Sequence, residues 1–385
     1  MKVCFVSHSS RNGGAERSLL ETIRALRGRG VECVALLPGE GWLADELGRS
    51  GVEFRVLPYK TWTAVEGGPV WRRIARIVWN AFMAVPAAFW IRRRRAGIVY
   101  TNAITTSVGA MAAALAGRKH VWHIRELGYG HNRLVFDLGE KLAMRFVRSR
   151  STICLANSHC VAEKYRAALQ PTEIKVVYQG VRLDEATRGP EPPPRGGFRC
   201  VVVGTIGPFK RQEEAIEAVA RLNERGHRAE LLVVGEGVPG YERHLRDLVR
   251  QRGIEDQVSF LGQLDSAAPA IRSADAVVTC SRDEAFGRVT VEGMLAGKPV
   301  VGARSAGTAE LIRDGVNGFL YEPGDVEALT ETLRRLAEDP AEARRVGEAA
   351  RAWAAERFTE EQYGKEILAC LLPLASAAHA ERGTS

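Results

Sequence analysis

Two runs of alternating strand and helix signals, separated by a proline-rich break, constrain this chain more than any other feature. In the first run, residues 3–7 read as an apolar strand, 9–14 as a glycine-bearing loop, and 15–27 as a helix. Leu19, Leu20, Ile23 and Leu26 give that helix apolar spacing of three to four. Residues 31–37 form the next strand, ended by Pro38-Gly39, and short apolar strands follow at 98–100, 120–124 and 152–156. Parallel strands need long crossovers, and both their faces must be covered. The rhythm therefore predicts a parallel sheet with helices on each side. Residues 188–197 carry four prolines and three glycines and read as a stiff linker.

The rhythm then restarts. Strands are expected at 199–203, 231–234, 258–261 and 276–279, with helices at 212–224 and 241–252. Further elements follow at 289–295, 299–302 and 308–312. Helices at about 325–336 and 341–372 close the chain, and 375–385 read as a loose tail. The expectation is an α/β protein of two Rossmann-like doubly wound domains, 1–187 and 198–360. A linker at 188–197 joins them, a C-terminal helix and tail occupy 361–385, and the ligand site lies in the cleft between the domains.

Composition narrows the class. The length of 385 residues and apolar content of 45% suit a soluble protein with a sizeable core. The seven cysteines are scattered with no C-x-x-C, which argues for buried thiols, against a structural zinc site, and for the cytoplasm. Lys2 runs straight into a short apolar strand, without the apolar region of a signal peptide. Residues 1–185 hold 28 Lys and Arg against 15 Asp and Glu, whereas 186–385 hold 26 against 31. The first half is thus the one to meet an anionic surface or substrate.

Chemistry is densest at Ser281-Arg-Asp-Glu-Ala-Phe-Gly-Arg-Val-Thr-Val-Glu292. Glu284 follows the strand at 276–279, Phe286-Gly287 opens a helix, and Glu292 lies about two turns on. A tight turn at Gly287 offers amides and a positive helix end to an anion. Two carboxylates beside such a helix start suit a ligand rich in hydroxyls and phosphate, as a nucleotide sugar is. A second block, Val203-Gly-Thr-Ile-Gly-Pro-Phe-Lys-Arg-Gln212, runs from strand through a glycine loop to helix. Lys210 there is placed to neutralise a diphosphate without a metal. A third, Ser9-Ser-Arg-Asn-Gly-Gly-Ala-Glu16, follows the first strand and lacks the G-x-G-x-x-G pattern of dinucleotide sites.

The first of these blocks, with Ala296-Gly-Lys-Pro-Val300, Gly307-Thr-Ala-Glu-Leu-Ile312 and Asn317-Gly-Phe319, resembles the signature of the retaining family-4 glycosyltransferases. These are the group 1 glycosyl transferases of GT-B fold, and the likeness extends over nearly the whole chain. It implies that Glu284 meets hydroxyls of the transferred sugar and that Glu292 binds the ribose. Phe286, Gly287 and Arg288 would supply backbone amides. Lys210 matches the family's diphosphate lysine. Thr205 stands where the family usually has an arginine, so Arg211 or Arg288 is the candidate substitute. The loop holding Gly14 would border the donor phosphates and the acceptor, with Arg11 and Glu16 as its side chains of interest. His123, at the end of the strand 120–124, would face the cleft and bond the transferred sugar. Arg125 and Glu126 would meet polar groups of the acceptor. Asn157-Ser158 and Tyr178-Gln-Gly-Val181 match scaffold positions, although Gln179 replaces the usual asparagine.

The resemblance implies sugar transfer from a UDP- or GDP-sugar with retention at the anomeric carbon, and no cofactor. No Asp-x-Asp metal motif accompanies it. A sugar-nucleotide epimerase on the same architecture and a non-catalytic nucleotide-sugar binder are the alternatives. Residues 70–95 hold three of the seven tryptophans and seven arginines: Arg72, Arg73, Arg76 and Arg92 to Arg95. Asn80 and Pro86 interrupt the apolar stretch too soon for a membrane span. A helix with aromatic groups on one side and arginine flanks suits an anionic membrane surface, and hence a lipid-linked or envelope glycan acceptor at the inner face of a membrane. No nucleic-acid module accompanies the charge.

Overall fold

The computed structural model describes residues 1–65, 68–127, 134–182, 197–237 and 240–380. Most of the expected linker, 188–196, and the last residues of the expected tail, 381–385, lie outside them. The chain divides into two compact units, Met1–Gly180 with the segment from Thr359, and Val181–Phe358.

In the first unit the strands are β1 (Lys2–Ser7), β2 (Glu32–Leu37), β3 (Glu53–Val56), β4 (Thr63–Val65), β5 (Ile98–Asn102), β6 (Lys119–Ile124), β7 (Leu134–Phe136), β8 (Ile153–Ala156) and β9 (Ile174–Val176). Seven of them form a sheet in the order β3-β2-β1-β5-β6-β8-β9, and its pairings are parallel. β4 and β7 make a small antiparallel pair that period-two patterning is too short to reveal. The helices are α1 (Gly14–Arg27), α2 (Trp42–Arg49), α3 (Val70–Arg93), α4 (Val108–Ala116), α5 (Glu140–Arg150) and α6 (His159–Leu169). β1 and β5 are buried along nearly their whole length, as strands covered on both faces must be.

The second unit holds β10 (Phe198–Val203), β11 (Ala229–Val234), β12 (Val258–Gly262), β13 (Ala276–Thr279), β14 (Val300–Ala303) and β15 (Phe319–Tyr321). Their order is β12-β11-β10-β13-β14-β15, again all parallel. Helices α7 (Gln212–Glu224), α8 (Tyr241–Arg252), α9 (Ala268–Ser273), α10 (Arg288–Leu295), α11 (Ala306–Leu311), α12 (Val326–Glu338) and α13 (Pro340–Arg357) cover it. Cys200, Val202, Leu231, Val233, Val278 and Val301 form the sheet side of its core.

The helix expected at 341–372 is two helices, α13 and α14 (Glu360–Ala380). The break falls at Phe358. Its ring packs edge-on to Phe286 at 5.7 Å and to Trp353 at 5.2 Å, so burial of this one ring is favoured over continuing the helix. α14 belongs to the first unit, where Tyr363, Ile367 and Leu371 enter the core beside α1. At the contact, a Cβ on Gly364 would sit 2.8 Å from Ala25 Cβ and 3.2 Å from its carbonyl oxygen. Gly364→Val should therefore lift α14 from α1 and cost roughly 1–3 kcal/mol of stability by overpacking. Thermal unfolding measures this. An unchanged midpoint would show that α14 does not depend on this approach.

Candidate active site

In the second sheet the chain winds outward from β10 through β11 to β12, then returns to build β13, β14 and β15 on the other side. The loops at the carboxyl ends of β10 and β13 therefore diverge, and open sheets bind ligands at such a reversal. Both expected blocks lie there, at 204–211 and 280–287. Gly204 has φ 139°, a conformation open to glycine, and the Lys210 chain lies over it. Gly235 is equally constrained, since a Cβ there would fall 2.0 Å from the Gly204 carbonyl. Ile206 N–H donates to Glu236 O at 2.8 Å and ties the two loops together.

From this loop Lys210 Nζ donates to Glu284 Oε2 at 2.5 Å. The Glu284 segment is fixed from beneath. Gly307 N–H donates to Glu284 O at 2.8 Å, and a Cβ on Gly307 would lie 2.8 Å from the carbonyls of both Glu284 and Phe286. Burial alone would raise the Glu284 pKa, but the Lys210 charge and hydrogen bonds from Lys210 and Ser281 outweigh it and hold the carboxyl below its usual range. The sign follows. The pair's contribution is full above the ordinary carboxyl value and fades as pH falls through the lowered one. At neutral pH Glu284 is an acceptor of hydroxyl hydrogen bonds and not a proton donor.

Gly287 (φ 92°) starts α10, whose first-turn amides have no intrahelical acceptor and whose first turn has no acidic residue. Phe286 is buried. Arg288 Nε donates to Glu292 Oε1 at 2.8 Å. Thr205 is exposed, and its carbonyl accepts from Gln212 Nε2 at 3.0 Å. Arg211 caps α7 in a left-handed conformation (φ 51°) and is ion-paired to Glu214. Glu214 is almost fully buried and also accepts from the Tyr321 hydroxyl at 2.8 Å.

The first-unit candidates divide. Arg11, on the loop after β1, and Gly14, the first residue of α1, are exposed. Glu16 is buried, with Oε1 3.4 Å from His8 Nδ1. Arg125, expected to meet the acceptor, is 6% exposed and turned inward. It donates to Asn102 Oδ1 at 2.5 Å, Ser18 Oγ at 2.7 Å, Gln179 Oε1 at 3.1 Å and the Tyr363 hydroxyl at 3.0 Å. Glu126 Oε2 accepts from the amides of Ile104 and Arg125, both at 3.1 Å, and burial raises its pKa. His123 is fully buried. Burial first, and the Arg125 charge second, hold its pKa well below the ordinary histidine value, so the ring is neutral. Its Nδ1 meets the Tyr100 hydroxyl and accepts from Arg125 Nη2 at 3.2 Å. We therefore assign the proton to Nε2, which is buried with no partner. Tyr100, Ser18, Asn102 and Tyr363 escaped sequence reasoning because no spacing links them; Tyr363 is 238 residues from Arg125.

Among the described residues no group of three or more His, Cys, Asp or Glu side chains is placed to hold a metal ion. The two candidates for the second diphosphate cation differ in what they hold. Arg211→Ala strands a buried carboxylate and should lower stability by roughly 2 kcal/mol or more. Arg288→Ala should leave stability nearly intact and weaken nucleotide binding about tenfold. Chemical denaturation and nucleotide titration of both variants check this. Equal nucleotide affinity in Arg288→Ala and wild type would remove Arg288 from the phosphate site.

Two family models match in succession: "Glycosyltransferase Family 4" over residues 12–185 and "Glycosyl transferases group 1" over 184–353. N-acetyl-alpha-D-glucosaminyl L-malate synthase of Bacillus anthracis is 35% identical over 153 residues, a stretch spanning 40% of this chain and 39% of that enzyme. The lipopolysaccharide core biosynthesis glycosyltransferase LpsE of Rhizobium meliloti is 27% identical over 86% of this chain and 88% of its own. Among solved structures, Anabaena HepE in complex with UDP-glucose superposes with a TM-score of 0.77 at 25% identity, over 96% of this chain and 99% of that one. Sheet order, site and both family models agree: the chain belongs to the group 1, family-4 glycosyltransferases of GT-B fold.

Proposed function

We propose that the chain is a retaining, metal-independent glycosyltransferase that moves a sugar from a UDP- or GDP-sugar to a lipid-linked or envelope glycan acceptor at the cytoplasmic face of a membrane. The observation that carries it is the Lys210–Glu284 pair at the β10/β13 reversal, beside the start of α10. Lys210 and the α10 amides are placed for a diphosphate, Glu284 for sugar hydroxyls and Glu292 for the ribose. The unpartnered Nε2–H of His123 is a donor for the transferred sugar. In this reading the bond from the anomeric carbon to the diphosphate oxygen breaks, and the diphosphate keeps the electron pair. The acceptor oxygen bonds that carbon on the same face and passes its proton to the departing phosphate. Glu284, held by Lys210 and ionised, stabilises the developing positive charge without forming a covalent intermediate. HepE, solved in complex with UDP-glucose, supports the donor class.

The membrane half of the reading rests on α3. Its buried face, with Met83, Ala87, Ala88 and Ile91, packs in the core against Val108, Ala112 and Ala116 of α4. Its other face exposes Trp71, Ile74, Val78, Phe82, Val85 and Phe89, at helical spacing. α3 is long and apolar enough to cross a membrane, but its packed face favours lying on the surface. Several arginines are already committed. Arg76 pairs with Asp137, Arg94 with Glu53, and Arg92 donates to the carbonyls of Leu115 and Ala116. Arg72, Arg73 and Arg95 carry no carboxylate partner among the described residues and are the cations left at the two ends of α3 for anionic groups of a lipid.

A panel of UDP-, GDP- and ADP-sugars, assayed with and without a chelator, tests the donor half. One donor should be turned over or slowly hydrolysed, unaffected by chelation, with Glu284→Gln about a hundredfold slower. NMR of the product should show the donor's anomeric configuration. Inversion, or activity abolished by the chelator, would overturn the mechanism. Binding to anionic liposomes that weakens with salt is expected, and a protein unbound at low salt would refute docking.

A further inference from the structure

A cavity of about 590 Å³ in the first unit has no role in the reading above. In that sheet the strand order reverses between β1 and β5. His8 directly follows β1, Thr105 lies just past β5, and both line the cavity. It therefore occupies the first unit's counterpart of the nucleotide position, the place where an open parallel sheet takes a ligand.

Two of its lining residues carry a buried polar atom with no hydrogen-bond partner, Arg73 Nε and Thr105 Oγ1, while His8 turns its Nδ1 to Glu16 Oε1 at 3.4 Å. Thr105 is 8% exposed. Buried polar atoms are nearly always satisfied, so two donors left open around one space indicate a ligand rich in acceptor oxygens. The charge agrees. Arg72, Arg73 and Arg76 line the same wall. Arg76 is neutralised by Asp137, whereas neither Arg72 nor Arg73 has a carboxylate partner among the described residues. The start of α3 adds its positive end there, with no side-chain cap and no acidic residue in its first turn. The opposing charge is Glu16, whose Oε1 lies 3.4 Å from His8 Nδ1. From the rim the exposed apolar stripe of α3 begins at Trp71, beside Arg72, and continues to Phe89.

A cationic cavity at the head of an apolar stripe matches an amphiphile with an anionic head. We propose that this cavity binds the phosphate or diphosphate group of a lipid-linked acceptor, with its hydrocarbon chain lying along the Trp71–Phe89 face of α3. Arg72 and Arg73 supply charge, and Thr105, Thr61 and Thr63 supply hydroxyls. The proposal rests on the reading of the acceptor as lipid-linked and deepens it.

The test measures binding, not transfer, with the full chain. Three probes are used: inorganic pyrophosphate, phosphatidylcholine vesicles doped with a polyprenyl diphosphate, and vesicles carrying phosphatidylglycerol at equal surface charge. Wild type should favour the doped vesicles about tenfold over those with phosphatidylglycerol. Arg73→Gln should abolish that preference, and Arg93→Gln, at the other end of α3, should keep it. Thr105→Val, nearly isosteric, should cut the preference severalfold and guards against misfolding of the first variant. Equal binding to both vesicle types, or a preference surviving Arg73→Gln and Thr105→Val, overturns the proposal. Pyrophosphate bound as tightly as the doped vesicles overturns its lipid part. Titration with UDP is read separately. A chain that keeps the vesicle preference but binds no nucleotide would sink the donor reading and leave this site standing.

Discussion

A parallel sheet that grows first to one side and then to the other must leave its loops parted where the direction changes, and both units are organised by that constraint. In the second, the reversal between β10 and β13 brings together Lys210 and Glu284, 74 residues apart in the chain. In the first, the reversal between β1 and β5 brings His8 and Thr105 to one cavity. In the second unit Gly235 lets its loop approach Gly204, Gly307 lets α11 approach the Glu284 segment, and Gly287 takes the positive φ that starts α10. The chemistry is therefore placed by strand order, and side chains only tune it.

Much of this was legible. α7, α8 and β13 were read to the residue, because each combines a clean apolar period with a glycine or polar stop. Glu284, Glu292 and Lys210 stood out because they cluster within short blocks, and the structure brings Lys210 to Glu284. Commitments made across the sheet were not. Arg125 was read as an acceptor group since it follows a strand end, yet its donors serve Ser18, Asn102, Gln179 and Tyr363. Gln179, noted as a departure from asparagine, is one of these partners. Its longer side chain brings a carbonyl oxygen to Arg125 at 3.1 Å. The stop at Phe358 was invisible because a ring's burial, and no proline or glycine, ends α13.

The second-unit site solves a charge problem. Two carboxylates close to a phosphate position would repel the donor. Glu284 is matched by Lys210 and Glu292 by Arg288, so each carboxylate arrives with its cation. In the proposed reading a diphosphate then meets a site close to neutral, with Lys210 shared between leaving group and Glu284. Thr205 in place of an arginine fits this balance. With Arg211 spent on Glu214, a further exposed cation is absent from the β10 loop, and Arg288 is the arginine on the first turn of α10.

The first unit handles charge in the opposite way, by burial. A buried guanidinium is tolerable only when its donors find acceptors, and Arg125 finds four side-chain oxygens as well as His123. One of those oxygens belongs to Tyr363, whose hydroxyl also bonds Thr22 Oγ1 at 2.7 Å. The last helix is thus part of the scaffold of His123, although it follows the whole second unit in sequence. Burial first, and the Arg125 charge second, keep His123 neutral, and the Arg125 donor at Nδ1 leaves the proton on the far nitrogen. A neutral imidazole cannot act as an acid over the ordinary pH range, but its Nε2–H is oriented before any ligand arrives. In the proposed reading that makes His123 a positioning donor, whose orientation is set in part by the helix closing the chain.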